Sequence, residues 1–161
     1  MIKNKLFKAT FGAGCFWSVE YKFSKTKGVI STSVGYEGGS LKNPSYEGVC
    51  SDNSGHIEVV ELEFNPDIIS YKELLGIFFS IHDPTAINKQ GYDSGSQYKS
   101  IIFYHNVEQK FEAIQFIKDL EKSGKYKKKI VTEIKKASKF YIAEDYHQKY
   151  LEKKGLSSCH I

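Results

Sequence analysis

The 161-residue chain has no arginine, so its 23 cationic side chains are all lysines, and against 19 carboxylates they leave a formal net charge of only +4. So mild a charge keeps a protein soluble without implying a nucleic-acid partner. No apolar run approaches membrane-spanning length, which excludes a transmembrane helix. The opening MIKNKLFKATFGAG lacks the apolar stretch and small-residue cleavage site of a secretory signal, so a cytoplasmic location is expected. Cysteine is scarce: Cys15, Cys50 and Cys159 are the whole set. An odd, sparse number argues against a disulfide framework, and without a C-x-x-C pair there is neither a zinc knuckle nor a thioredoxin-type motif. His56, His82 and His147 lack metal-ligand spacing, so no metal site is expected. Any disulfide is expected to be transient and catalytic. Repeats, low-complexity tracts and linkers are missing too. The expectation is one domain over residues 1–161, with a flexible C-terminal tail from about residue 152.

What is present suits a packed core: 40% hydrophobic and 26% charged residues are ordinary for a globular chain. Phe7 to Phe11 reads as a strand entering a Gly12-Ala13-Gly14 turn, and Phe16, Val19 and Phe23 then follow helical spacing. VISTSVGY (29–36) and HIEVVELEF (56–64) read as strands, the first ending in a glycine-rich loop, GYEGGSLKNPSY (35–46). Ser70 with Glu73 forms a capping box for a helix ending before Pro84. A strand is expected near 98–104, and then a helix opened by Asn106 and Gln109, with Val107, Phe111, Ile114, Ile117 and Leu120 inward and Gly124 ending it. IVTEI (130–134) reads as a last strand and 143–153 as a last helix. Strands and helices that do not strictly alternate predict an α+β fold with helices packed on a sheet.

Two residues stand out chemically. Cys15 lies between a glycine turn and the bulky pair Phe16 and Trp17, at the start of a helix. Unpaired backbone N–H groups and the helix dipole there favour a thiolate, although the position also suits a small buried hydrophobe. Glu58 shares a strand face with Val60, Leu62 and Phe64. If that is the core face, Glu58 is a desolvated carboxyl able to hold a proton and act as a general acid; if the sheet is turned over, it is merely solvated. Tyr46, Asp93 and Tyr98 lie in glycine-rich loops, where catalytic groups concentrate. Cys50 reads as passive. Cys159 reads either as an incidental tail thiol or as a resolving thiol on a mobile tether. The lysine-rich GKYKKK (124–129) reads as a solvated turn.

The strings GCFW, GYEGG, NPSYEGVCS, GHIEVVE, HDPT, QGYDSGSQYKS and AEDYHQ occur in the order seen in the A-type peptide methionine sulfoxide reductases. The chain resembles that family from about Phe11 to Tyr150. The resemblance implies a two-layer α/β sandwich with a mixed sheet and a ferredoxin-like core. It implies reduction of methionine S-sulfoxide, free or in proteins, with Cys15 as nucleophile and Glu58 as acid. Tyr46, Tyr98 and Asp93 correspond to the family's polar catalytic group, and Phe16 and Trp17 to the pocket for the substrate's methyl group. Cys159 corresponds to a resolving thiol. No cofactor is implied beyond thioredoxin or another dithiol as external reductant, and neither nucleic acid nor membrane as partner; a monomer is expected. The chain departs from many members at Ser18, where they carry glycine. A thiol peroxidase using the same cysteines, and a module that binds methionine-containing segments without turnover, are the competing readings.

Overall fold

The computed structural model describes residues 5–40, 42–50, 55–91 and 93–156. Strand β1 (Phe7–Ala13) leads through Gly14 into helix α1 (Phe16–Ser24), and β2 (Val29–Glu37) follows. A five-residue helix α2 (Tyr46–Cys50) precedes β3 (Ile57–Phe64) and α3 (Tyr71–Ser80). The small hairpin β4 (Lys89–Gln90) and β5 (Asp93–Ser94) and a 3₁₀ turn at Ser96–Tyr98 lead to β6 (Ser100–Tyr104) and α4 (Val107–Ser123). Then come β7 (Glu133–Lys136), β8 (Tyr141–Ile142), a 3₁₀ turn at Asp145–His147 and α5 (Tyr150–Lys153).

Six strands form one sheet in the order β7-β6-β1-β3-β2-β8, antiparallel except for the parallel β6–β7 pair. Its centre is the expected ferredoxin-like core: β1-α1-β2-β3-α3-β6, with sheet order β6-β1-β3-β2. Local chemistry marks the helix ends as expected. Ser70 and Glu73 form a reciprocal capping box, Asn106 accepts from Gln109 N, and Gly124 ends α4 at φ 74°. The left-handed region suits glycine at such a stop.

The face of β3 bearing Val60, Leu62 and Phe64 is the one the helices cover. With Phe11, Phe16, Phe23, Leu74 and Phe78 it builds the main core. Glu58 lies on this face and is 1% exposed. The opposite face holds a smaller cluster of Ile57, Val59, Ile101 and Phe103, against which Ala137 and Phe140 pack. Gly35 permits that cover, because a Cβ there would lie 2.4 Å from the Phe140 ring and from Tyr141 O.

Four expectations are corrected. Tyr46, read as the end of a loop, opens a helix over 46–50, a segment too short to show a periodicity. Helix α4 is rotated from its expected phase: Val107 and Phe111 are 59% and 61% exposed, while Gln109, Ala113, Phe116, Ile117 and Leu120 turn inward. Burial of Gln109 decides this, because its amide donates to Lys8 O and accepts from His105 N, at 2.8 and 2.9 Å. Strand β7 begins at Glu133, after Val131 N has bonded Pro84 O. The expected last helix is split, since Lys149 takes up φ 56° and its N–H goes to Glu20.

Candidate active site

Cys15 is the residue before the first turn of α1, with extended backbone and half-buried surface. Gly14 turns the chain there at φ 92°. A Cβ on Gly14 would meet Gln90 at 2.8 Å, so this close approach, like the turn itself, requires glycine. The first-turn N–H of Phe16 donates to Glu58 Oε1 at 3.3 Å. One orphan donor of the helix start therefore ties the carboxyl of β3 to the residue next to the thiol. Helix α1 runs unbroken through Ser18, so the departure there leaves its geometry intact.

Three more predicted residues gather round this pair. Burial pushes the Tyr46 phenol well up, with the Cys50 thiol and the charges of Glu58 and Cys15 adding to it. Tyr98 is raised likewise, first by burial, then by Glu58, Tyr46, Cys50 and Asp93. Such couplings place Cys15, Glu58, Tyr46, Tyr98 and Asp93 in one electrostatic neighbourhood. Their consequence is chemical: both phenols keep their protons.

The apolar wall is built on α1 and the chain after β8. Phe16 is 1% exposed, its ring 5.7 Å from Tyr36 and 5.1 Å from His147. Trp17 stacks on Tyr150 at 3.8 Å and donates from Nε1 to His147 Nδ1 at 2.9 Å. Burial holds His147 below its ordinary value. A neutral ring that accepts at Nδ1 carries its proton at Nε2. That nitrogen is buried with no hydrogen-bond partner.

Sequence reasoning missed Tyr36, Glu144 and His147 as parts of the site. Glu144 accepts from Tyr36 Oη through one oxygen, at 3.0 Å, and from Tyr46 N through the other, at 3.2 Å. These bonds outweigh desolvation and hold its carboxyl below the usual range. Their signal was present in GYEGG and AEDYHQ, but only pairing over some 100 residues reveals what Tyr36 and Glu144 touch. Cys50 ends α2, exposed, one turn beyond Tyr46 and thus on the rim of the site instead of remote from it. Cys159 lies outside the described residues. Among the described residues, no group of three or more His, Cys, Asp or Glu could hold a metal ion, and no helix is long and apolar enough to cross a membrane.

Comparison with known proteins shows the family. The chain matches the family model described as peptide methionine sulfoxide reductase over residues 7–161. A Methanothermobacter thermautotrophicus protein named peptide methionine sulfoxide reductase MsrA is 54% identical over 161 residues, which is 100% of this chain and 95% of that one. The structure of reduced Mxr1 from Saccharomyces cerevisiae superposes with a TM-score of 0.87 at 36% identity, over 94% of this chain and 87% of that one. Mxr1 in complex with Trx2 gives a TM-score of 0.63 at 26% identity, over 93% and 90% of the two chains.

Proposed function

The chain belongs to the peptide methionine sulfoxide reductase family, and from that premise we propose that it reduces methionine S-sulfoxide, free or in proteins, using the Cys15 thiol as nucleophile and Glu58 as acid. The observation that carries the assignment is the Phe16 N–Glu58 bond, which holds a carboxyl 1% exposed beside the nucleophile. Burial disfavours the charged form of a carboxyl, so a glutamate in this position is suited to deliver a proton.

The sulfur of a sulfoxide is electrophilic, but its oxygen leaves only when protonated. The Cys15 thiolate attacks that sulfur as Glu58 protonates the oxygen, with the Tyr46 and Tyr98 phenols donating to it as charge builds. The S–O bond breaks and the protonated oxygen leaves as hydroxide, which then attacks Cys15 Sγ as the bond between Sγ and the substrate sulfur breaks; methionine departs two electrons richer and Cys15 is left as a sulfenic acid. A second thiol, assigned to Cys159, displaces water from it to form a disulfide. A thioredoxin then reduces that disulfide by exchange, a role for which the Mxr1–Trx2 complex is the precedent. Phe16 and Trp17 hold the methyl group, and the buried His147 N–H is a further donor suited to an oxide oxygen. No cofactor enters this sequence.

Single turnover of racemic methionine sulfoxide without external reductant tests the reading. We expect one methionine per chain, two thiols lost, consumption of the S epimer alone, and a Cys15–Cys159 disulfide on mapping. Intact thiols with no methionine would overturn the reductase reading. A Cys15–Cys50 disulfide would overturn only the assignment of the resolving thiol.

A further inference from the structure

A groove of about 790 Å³ opens directly from the nucleophile, on the side of α1 away from the aromatic wall's partners. Its near end contains Cys15 and Asp93, both placed in the active site above. From there it follows one face of α1, where Ser18 and Lys22 line it at helical spacing from Cys15, and reaches Thr26 just past the helix end. Ile77 and Ser80 of α3 form the opposing wall. The mechanism uses none of these five residues. A methionine side chain occupies on the order of 100 Å³, estimated from four heavy groups at interior packing density. The groove therefore offers several times more room than the reacting group needs.

The lining suits polypeptide more than lipid or a flat aromatic ligand. Thr26 and Ser80 give their hydroxyl protons to Lys22 O and Ile77 O and keep lone pairs that can accept from a backbone N–H, while Ile77 adds an apolar floor, a mixture that an extended backbone with alternating side chains can satisfy. Charge along it is ordered. The anion, Asp93, is at the Cys15 end, and Lys22 is the cation farther along. His82, which also lines the groove, is pulled down to about 4 by burial and is neutral at physiological pH. Seven helical residues separate Lys22 from Cys15, a rise of about 10 Å. An extended chain covers that distance in about three residues.

We propose that this groove binds the polypeptide flanking an oxidised methionine, and that Lys22 selects segments with a carboxylate about three residues from the sulfoxide. The proposal rests on the reductase reading and adds a preference for peptide over the free amino acid. A solvent-exposed lysine–carboxylate pair changes affinity only modestly, so the expected discrimination is roughly two- to fivefold.

The test compares kcat/KM for two unstructured peptides that differ only in carrying Asp or Lys three positions from methionine sulfoxide, with the substituted position placed on each side in turn. The ratio between the two peptides is the readout, since a general loss of activity leaves it unaltered. We expect the wild type to prefer the Asp peptide about two- to fivefold on one side, and Lys22→Glu to invert that ratio. Lys118→Glu makes the same change of net charge on α4, which contributes nothing to the groove, and should leave the ratio near its wild-type value. A ratio unmoved by Lys22→Glu, or moved equally by Lys118→Glu, overturns the proposal. Wild-type turnover of free methionine sulfoxide, measured alongside, reports separately on the reductase reading, whose failure would show as no methionine from any substrate.

Discussion

Replacing Glu58 by glutamine keeps an acceptor for Phe16 N but removes the proton that the mechanism delivers to the leaving oxygen. The chemical step is expected to slow by about 10²–10⁴-fold, the usual range for loss of a general acid. Rapid-quench measurement of the first turnover checks this, and an unchanged rate would remove Glu58 from its assigned role. The identity of this residue was half legible in the sequence. Alternation along β3 put Glu58 with Val60, Leu62 and Phe64, yet Ile57 and Val59 made the other face equally apolar. The structure resolves the ambiguity because both faces are in fact covered, the first by helices and the second by the chain around Phe140. Cys15 was more readable, since a cysteine at a helix start beside a glycine turn advertises its position locally.

At the level of elements, the site depends on how α2 is attached. Its first residue, Tyr46, carries a phenol that the proposed mechanism uses as a donor, and its backbone N–H is held by Glu144, which also takes the Tyr36 hydroxyl of β2. Glu144→Ala would release α2 and leave the fully buried Tyr36 hydroxyl without its acceptor. We expect kcat/KM to fall roughly 10- to 100-fold, as misplacing a catalytic group by about an ångström does. Tyr36→Phe, which leaves the bond to Tyr46 N in place, should lower Tm with much less effect on kcat/KM. Equal losses of activity in the two variants, measured under the same conditions, would show that Glu144 does not act by placing Tyr46. None of this was readable from the loop-like 35–46 and the residues that follow it, because five helical residues are too few for a pattern. Helix α4 failed for a different reason. Its apolar residues allow two phases, and a polar side chain, Gln109, chose between them.

For the whole molecule, stability against pH carries two opposed contributions. Burial raises the Glu37 carboxyl from 4.5 to about 7, with Ser138 N pulling it back and Glu61 adding to the rise. The folded state keeps a proton that the unfolded chain releases, so stability falls as pH rises from about 4.5 to about 7. His82 runs the other way. Burial lowers it from 6.5 to about 4, the folded state refuses a proton that the unfolded chain accepts, and stability falls as pH drops through that window. His105 and His147, both lowered by burial, add to it with the same sign. Glu37→Gln should therefore gain stability over the wild type as pH rises from 5 to 8, on the order of 2–3 kcal/mol. Urea unfolding at the two pH values measures the gain, and an equal difference at both would mean that Glu37 is not the titrating group.

What the sequence determined by itself was everything encoded over short range. Caps, turns and strand alternation rest on contacts within a few residues, so Ser70, Asn106 and Gly124 mark helix ends where they were expected, and the strands around Cys15 and Glu58 follow. The ordered motifs from GCFW to AEDYHQ added the chemistry. Only the tertiary structure decided which surface each element buries and which distant residues meet. Tyr36, Glu144 and His147 join the site, and Lys22 faces a groove, because the sheet order sets β1, β3 and β2 side by side and brings the chain after β8 back across them. Those contacts depend on packing between segments far apart in sequence, where many pairings satisfy the same local pattern and one core satisfies them all.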